Sequence, residues 1–346
     1  MVAVSITALA ISIVVSNAHT SSSHGIPVPG KSTIYSTYDG IAAPFPGKRT
    51  APIRPTTRGP AGADDLLFQN LLSAEWAVFS FYQQGVEAFT SSNFTDAGFP
   101  NTTYSRITEI CDNEAGHLLI FQDHISNHSI KPGACKYDFS FGNSPSTYLV
   151  LQTVLEVSSM AFLTGLVLQA KQQISKSALV AIGQVETRHL TWSLIDVWNV
   201  NPFSGPSDTV YPYANQILEV TNQFIIPGSC PAANPTYPSP RQNLPQLSQG
   251  TSNATLLPGS PITFTFRNAS HVPSFKPHKR YYAVFFHSLL SISVPFDPAT
   301  NSSTIPEEFE LKGIVIAVIA DRKGAPTLKS VLAGPLFILL QPSGLI

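Results

Sequence analysis

Two four-residue words constrain this chain most: Glu114-Ala115-Gly116-His117 and Glu186-Thr187-Arg188-His189. Each is Glu-x-x-His inside a long run with helical apolar periodicity, and residues three apart on a helix share one face. Each word therefore presents a carboxylate and an imidazole side by side. Two more carboxylates, Glu75 and Glu156, stand in the helical runs just before these. One Glu from each of two helices, plus Glu-x-x-His from each of two others, is the ligand set of a four-helix bundle holding two iron or manganese ions.

A lone Glu-x-x-His is common, and Glu75 alone reads as an ordinary solvated helix residue. Glu156 does not, because it sits in Thr-Val-Leu-Glu-Val-Ser-Ser-Met-Ala-Phe-Leu. Burying a carboxylate there costs several kcal/mol unless a cation or hydrogen bonds compensate. The expected metal set is thus Glu75, Glu114, His117, Glu156, Glu186 and His189. Glu114 and Glu186 would bridge the ions, Glu75 with His117 would complete one, and Glu156 with His189 the other. Asp196 and His124 each follow a ligand His by seven residues and are candidates to hydrogen-bond it. Trp76, Trp192 and Tyr82 are aromatics near the motifs; core packing is the simpler reading for them.

The apolar pattern predicts helices over about 64–89, 104–126, 146–172 and 175–199, with a weaker fifth over about 213–226. Glu75 stands about 15 residues before its helix ends and Glu114 about 10 after the next begins; Glu156 and Glu186 stand at about 16 and 11. At ~1.5 Å rise per residue, each pair lies at a similar height along a bundle. The 130–145 connection can span ~50 Å when extended, enough to return the chain along the bundle. The two hairpins resemble an internal duplication in layout.

The remaining text is of other kinds. Met1 to Ala18 has an apolar stretch and small residues at Ser16 and Ala18, and reads as a secretory signal peptide. Its start lacks Lys and Arg, so an uncleaved anchor is the alternative. Residues 19–63 are a Pro/Ser-rich leader and 231–250 a Pro-rich linker by composition. From 251 to 346 the texture is β: Ile262–Phe266 alternates, Tyr281–Phe286 is aromatic, and Leu311–Ala320 and Leu336–Leu340 are short apolar runs. The last is too short for a lipid-anchor signal and is followed by Gln341-Pro342.

Six Asn-x-Ser/Thr sequons, at Asn93, Asn101, Asn127, Asn253, Asn268 and Asn301, agree with a glycosylated secreted chain. Of three cysteines, Cys111 lies in a helical run and reads as a buried thiol. Cys135 and Cys230 both sit in loops just past helical runs, and pair in an oxidising compartment, although an odd count allows other pairings. A net charge of -1 gives no sign of the basic face that nucleic-acid binding normally shows, and no nucleic-acid partner is expected. The chain also has no Gly-rich phosphate loop, no Gly-x-Ser-x-Gly and no Cys/His nucleophile pair.

Asp112-Asn113-Glu114-Ala115-Gly116-His117, Lys131-Pro132-Gly133-Ala134-Cys135-Lys136-Tyr137 and Phe224-Ile225-Ile226-Pro227-Gly228-Ser229-Cys230-Pro231 carry a family resemblance. Together they resemble the ferritin-like-domain proteins that include fungal stress-response and sexual-development proteins and plant desiccation-related proteins. The resemblance covers about 64–231 and, more loosely, the β-textured tail with Ala333-Gly334-Pro335. It implies a secreted, fungal protein with a ferritin-like bundle, and it supplies no reaction.

The expectation is therefore an α+β two-part chain. A ferritin-like four-helix bundle, up-down-down-up with one long crossover, occupies 64–230, and a small β-rich domain occupies 251–346. The bundle should hold two iron or manganese ions in a redox or metal-handling role; as an enzyme it would be an oxidoreductase using dioxygen or peroxide. The alternative is a non-enzymatic extracellular or cell-wall protein. No membrane span is expected after signal cleavage, and cell-wall or extracellular components are the expected partners.

Overall fold

The structure, a computed structural model, describes residues 11–13, 50–199, 201–203, 210–250, 257–266, 272–287, 290–309 and 313–340. Two compact units emerge: Thr20–Ser193 with Leu218–Arg241, and Met1–His19 with Leu194–Ile217 and Gln242–Ile346. The first is helical. Its long helices are α1 (Asp65–Ala88), α3 (Thr103–His124), α4 (Pro145–Val167) and α5 (Gln173–Trp192). A short α2 (Ser91–Asp96) lies in the polar connection where no helix was expected. It is only six residues long and is started by a Thr90–Asn93 capping box rather than by apolar periodicity.

Named contacts fix the direction of each helix. Asp65, opening α1, accepts hydrogen bonds from the Ser126 N–H (2.9 Å) and hydroxyl (2.6 Å), just past the end of α3. Asp64 accepts from the backbone N–H groups of Lys171 (2.8 Å) and Gln172 (2.9 Å), in the turn between α4 and α5. At the other end, Gly85 in α1 meets Tyr148 near the start of α4. The order is up-down-down-up. The two aspartates thus tie three chain ends together as well as favouring the start of α1. Against burial, which would raise them, these hydrogen bonds hold both carboxyls below the usual carboxylate range.

The long crossover climbs α1. Gln69 donates to Ile130 O (2.8 Å), Trp76 through its indole N–H to Pro132 O (2.9 Å), and Gln84 to Tyr137 O (3.2 Å). Cys135 and Cys230 form the disulfide, and Cys111 is a buried thiol. Much of the composition-based linker is held on the bundle. Asn234 exchanges two hydrogen bonds with the Gly133 backbone (2.9 and 2.7 Å), and Asn70 two with the Ser239 backbone (both 2.9 Å). Proline-rich chain lacks donors for a regular ladder, so side-chain amides from the bundle satisfy it instead. The leader behaves likewise from residue 50: Ile53 and Lys131 pair their backbones at 3.0 and 2.9 Å.

Helix ends differ from the sequence expectation. α4 stops at Val167 and α5 at Trp192, where five residues, Ser193–Val197, continue as a π-helix. The weak fifth segment is α6 (Ala214–Val220) followed by a 3-10 turn, Thr221–Phe224. By length and composition α4 alone among the described helices can cross a membrane, but it is largely buried within the molecule.

The second unit carries two sheets. One has the order β1 (Ile11–Ile13), β8 (Val331–Leu340), β7 (Gly313–Ala320), β4 (Tyr281–His287), β5 (Leu290–Phe296). The other has β2 (Leu247–Gln249), β3 (Pro261–Phe266) and β6 (Ser302–Thr304). Only β1 pairs in parallel, with Ile11 opposite Phe337; it falls within the segment read as a signal peptide. The rest of that segment and the leader through residue 49 lie outside the described residues. Ile262 and Phe264 of β3, Tyr281, Ala283 and Phe285 of β4, and Val315, Ala317 and Ile319 of β7 share one core. The alternating pattern read at Ile262–Phe266 is that inward face.

Two outcomes test this packing. A Cβ on Gly85 would come within 2.3 Å of the Tyr148 ring, which stacks on Phe81 at 4.4 Å. Gly85→Ala should therefore cost about 1–3 kcal/mol in denaturant unfolding; an unchanged midpoint would refute the close approach of α1 and α4. Asp65→Asn should cost ~1–3 kcal/mol near neutral pH, since hydrogen bonds to a charged group are lost. Because the folded carboxyl is depressed, its stabilisation is present above the unfolded pKa and disappears as pH falls through the folded one. The gap between wild type and Asp65→Asn should close on acidification.

Candidate metal centre

Glu75 on α1, Glu114 and His117 on α3, Glu156 on α4, and Glu186 and His189 on α5 all point into the bundle core. None is more than 6% exposed. Glu-x-x-His spacing brings each His beside its own Glu, and the antiparallel pairing of hairpins brings both words to one level. Two overlapping groups result: Glu75, Glu114, His117 and Glu186; and Glu114, Glu156, Glu186 and His189. In each, one ligand atom from every residue lies within 4.8 Å of the others.

The shared members are Glu114 and Glu186, and each turns one oxygen to each histidine. His117 Nδ1 lies 3.0 Å from Glu114 Oε2, 3.2 Å from Glu186 Oε1 and 3.1 Å from Glu75 Oε1. His189 Nδ1 lies 3.2 Å from Glu114 Oε1, 3.7 Å from Glu186 Oε2 and 3.4 Å from Glu156 Oε2. Two carboxylates between two imidazoles, with one further carboxylate at each, is the arrangement that bridging and terminal ligands require.

The donor set could hold a metal ion. Glu114 Oε1, Glu156 Oε2, Glu186 Oε2 and His189 Nδ1 are buried and without a hydrogen-bond partner. These four atoms face one another at 3.2–3.7 Å, a buried grouping of donors that a cation could share. Oxygen and imidazole donors suit iron or manganese.

The groups of the cluster shift one another's proton affinity in opposite directions. Burial, reinforced by the negative charge of Glu114, pushes the Glu75 carboxyl well above its usual range. Burial does the same to Glu156, with Glu186 and Glu114 adding to it and His189 opposing. For Glu114 and Glu186, burial is outweighed by the two histidines, and both carboxyls are held low. Burial disfavours the cation at His117 and His189, but the surrounding carboxylates raise both well above the ordinary imidazole value.

Other residues singled out in the sequence lie in varied settings. Tyr82 donates its hydroxyl to Glu156 Oε1, and burial together with the Glu156 charge keeps that phenol protonated. Trp76 anchors the crossover. The Trp192 indole nitrogen is buried and finds no hydrogen-bond partner among the described residues. His124 is turned to its own helix, with Nδ1 2.9 Å from Ile120 O and its ring 4.6 Å from that of Phe68. Seven residues are two turns, ~10 Å along the axis, which takes it away from His117. Asp196 lies in the π-helix and in the other compact unit. Gln152 escaped sequence reasoning, yet its amide donates to Tyr82 Oη at 3.2 Å. The signal was there, since an amide one turn before Glu156 in so apolar a helix is as anomalous as Glu156 itself.

Residues 63–194 match the ferritin-like domain family. No curated protein matches the chain. The ferritin-like match opens just before α1 and closes just after α5, and so contains all six residues of the cluster.

Metal loading of the bundle should be strongly pH-dependent. Metal ligation requires carboxylates and neutral imidazoles, whereas burial raises the Glu75 and Glu156 carboxyls and the surrounding carboxylates raise His117 and His189, so binding competes with protons. Affinity should rise with pH, and titration in buffers of different ionisation enthalpy should read a net release of protons on metal uptake. Metal uptake without proton release would refute this protonation pattern.

Proposed function

We propose that this is a secreted ferritin-like protein, of the kind found among fungal stress-response and sexual-development proteins. In this reading its bundle holds two iron or manganese ions and serves redox or metal handling in stress or development. The observation that carries the reading is the convergence of four carboxylates and two imidazoles on shared positions, with four buried donor atoms unpaired. Glu114 and Glu186 would bridge, Glu75 and His117 would hold one ion, and Glu156 and His189 the other. Bound iron or manganese would supply one-electron exchange with dioxygen or peroxide. The chain's own part is to keep the ligands dry and in register.

Secretion rests on other features. The Cys135–Cys230 disulfide suits an oxidising compartment. Asn93, Asn101 and Asn127 are exposed and Asn301 half-exposed, as glycan acceptors need to be, while Asn253 and Asn268 lie outside the described residues. A second reading, a non-enzymatic extracellular or cell-wall protein, is favoured by one observation: the buried carboxylates and imidazoles already meet one another in ion-pair contacts.

Elemental analysis of protein from a secreting host separates the two. Wild type should carry about two iron or manganese ions per chain, as the bridged six-ligand set requires. Glu114→Gln/Glu186→Gln, which keeps shape and removes the bridging charges, should carry none. Chelation should lower the melting temperature of wild type and leave the variant unmoved. Absence of metal from wild type, with no effect of added metal on its melting temperature, would favour the structural reading.

A further inference from the structure

A net charge of -1 over the whole chain conceals a separation of charge within the second unit. Antiparallel pairing sets the start of β4 beside the end of β7, with Tyr282 opposite Ala320, and beside the end of β5, with Tyr281 opposite Phe296. Both chain segments at this end of the sheet are basic. Lys276, Lys279 and Arg280 lead into β4, and Arg322, Lys323 and Lys329 stand between β7 and β8. All six are exposed.

Two carboxylates stand in the turns at the same end, and both are engaged. Asp321 accepts from Lys279 Nζ at 2.7 Å. Asp297 accepts from the Ala299 N–H (2.9 Å) and the Thr300 hydroxyl (2.7 Å) of its own turn. Of the six cations, Lys279 alone has an ion-pair partner among the described residues. Exposed acids gather at the other end. Glu307 and Glu308 follow β6 as it runs back from the Asp297–Ser302 bridge, and the next residue, Phe309, packs on His287, the last of β4, at 4.8 Å.

The basic segments are held in place. The Lys276 N–H donates to Tyr281 Oη at 2.7 Å, and the Lys279 N–H closes a turn on Lys276 O at 3.3 Å. The Asp321 N–H donates to Ser330 O (3.0 Å) and the Gly324 N–H to Ser293 Oγ (2.7 Å). Lys279 Nζ and Lys323 Nζ lie 5.8 and 6.0 Å from the ring centres of Tyr281 and Tyr282, within cation–π reach. A partner therefore meets backbone that is already ordered, which lowers the entropic cost of binding. Like charges closer than a Debye length of about 8 Å repel one another, and an anionic partner relieves that repulsion.

The layout selects among anions. Successive residues of a strand face opposite ways, so the cations over Tyr281 and Tyr282 stand on opposite sides of the rim and do not converge on one small ion. Spread charge of this kind suits a polymer with repeated anionic groups. Neither segment carries an exposed large apolar side chain to enter a bilayer, and exposed Leu290 is at the far end, opposite His287. Tyr281 is buried and Tyr282 half-buried, so neither offers a free face for a nucleic-acid base. Short Lys/Arg-rich runs otherwise serve sulfated polysaccharides.

We infer that this basic rim of the second unit binds an anionic polysaccharide. The inference needs neither reading of the bundle.

The experiment is retention of the full chain on immobilised dextran sulfate, against unmodified dextran, as salt is varied. Wild type should be held by dextran sulfate at low salt, released as salt rises, and pass freely through dextran. Lys276→Gln/Arg280→Gln and Arg322→Gln/Lys323→Gln should each weaken retention. Each should also lower the slope of log affinity against log salt by about two, roughly one for each cation removed. Lys171→Gln/Arg188→Gln takes the same charge from exposed positions on the bundle and should leave both readouts unchanged. Free passage of wild type through dextran sulfate at low salt would overturn the inference, as would an equal loss in the bundle variant. Tighter binding to phosphatidylserine vesicles or to single-stranded DNA than to dextran sulfate, at the same salt, would overturn the choice of a polysaccharide.

Discussion

Four carboxylates and two imidazoles sit at the middle of the bundle with almost no contact with water. Removing that many ionisable groups from solvent costs several kcal/mol for each one that stays charged and unpaired. Packing around them is therefore constrained in a way that an apolar core is not. The helices must keep the height and rotation at which His117 and His189 reach Glu114 and Glu186 together, or charges are stranded. A slide of one hairpin along the other by a single turn would separate the groups by ~5 Å.

The elements outside the four long helices serve that register. Asp64 and Asp65 lock the start of α1 to the turn between α4 and α5 and to the end of α3. At the opposite end, Tyr148 fills the space left by the missing side chain of Gly85 and stacks on Phe81. The crossover is fastened along α1 at three heights and cross-linked through Cys135 to Cys230. Along α1, Gln69 and Gln84 lie on either side of Glu75 and Trp76 is next to it, so α1 is held above, below and at the level of the cluster.

The same low-polarity surroundings give the polar chain behind Glu156 its significance. Gln152, Thr153 and Tyr82 would be unremarked on a helix surface, but fully buried they must bond to one another or to the cluster. Their geometry directs a proton donor at one ligand and at one oxygen of it.

Much of this was legible in the chain itself. Glu-x-x-His spacing, the misplaced charge of Glu156 and the matched offsets within the hairpins named the six residues and the bundle, because helical periodicity is a local property and a carboxylate in an apolar helix demands a partner. Loop composition likewise brought Cys135 and Cys230 into view. Folding together decided the rest. Short elements such as α2, β2 and β6 have too few residues to show a period, and β5 was missed as well. The proline-rich stretch after Cys230 looked like a linker because its partners, Asn70 and Gly133, are remote in sequence. His124 turned to its own helix because two turns of rise carry it away from His117. Which half of the cluster has a phenol behind it depends on α1 and α4 meeting in opposite directions. Only the tertiary structure sets that, since a hydrogen bond between residues 82 and 156 has no local signal.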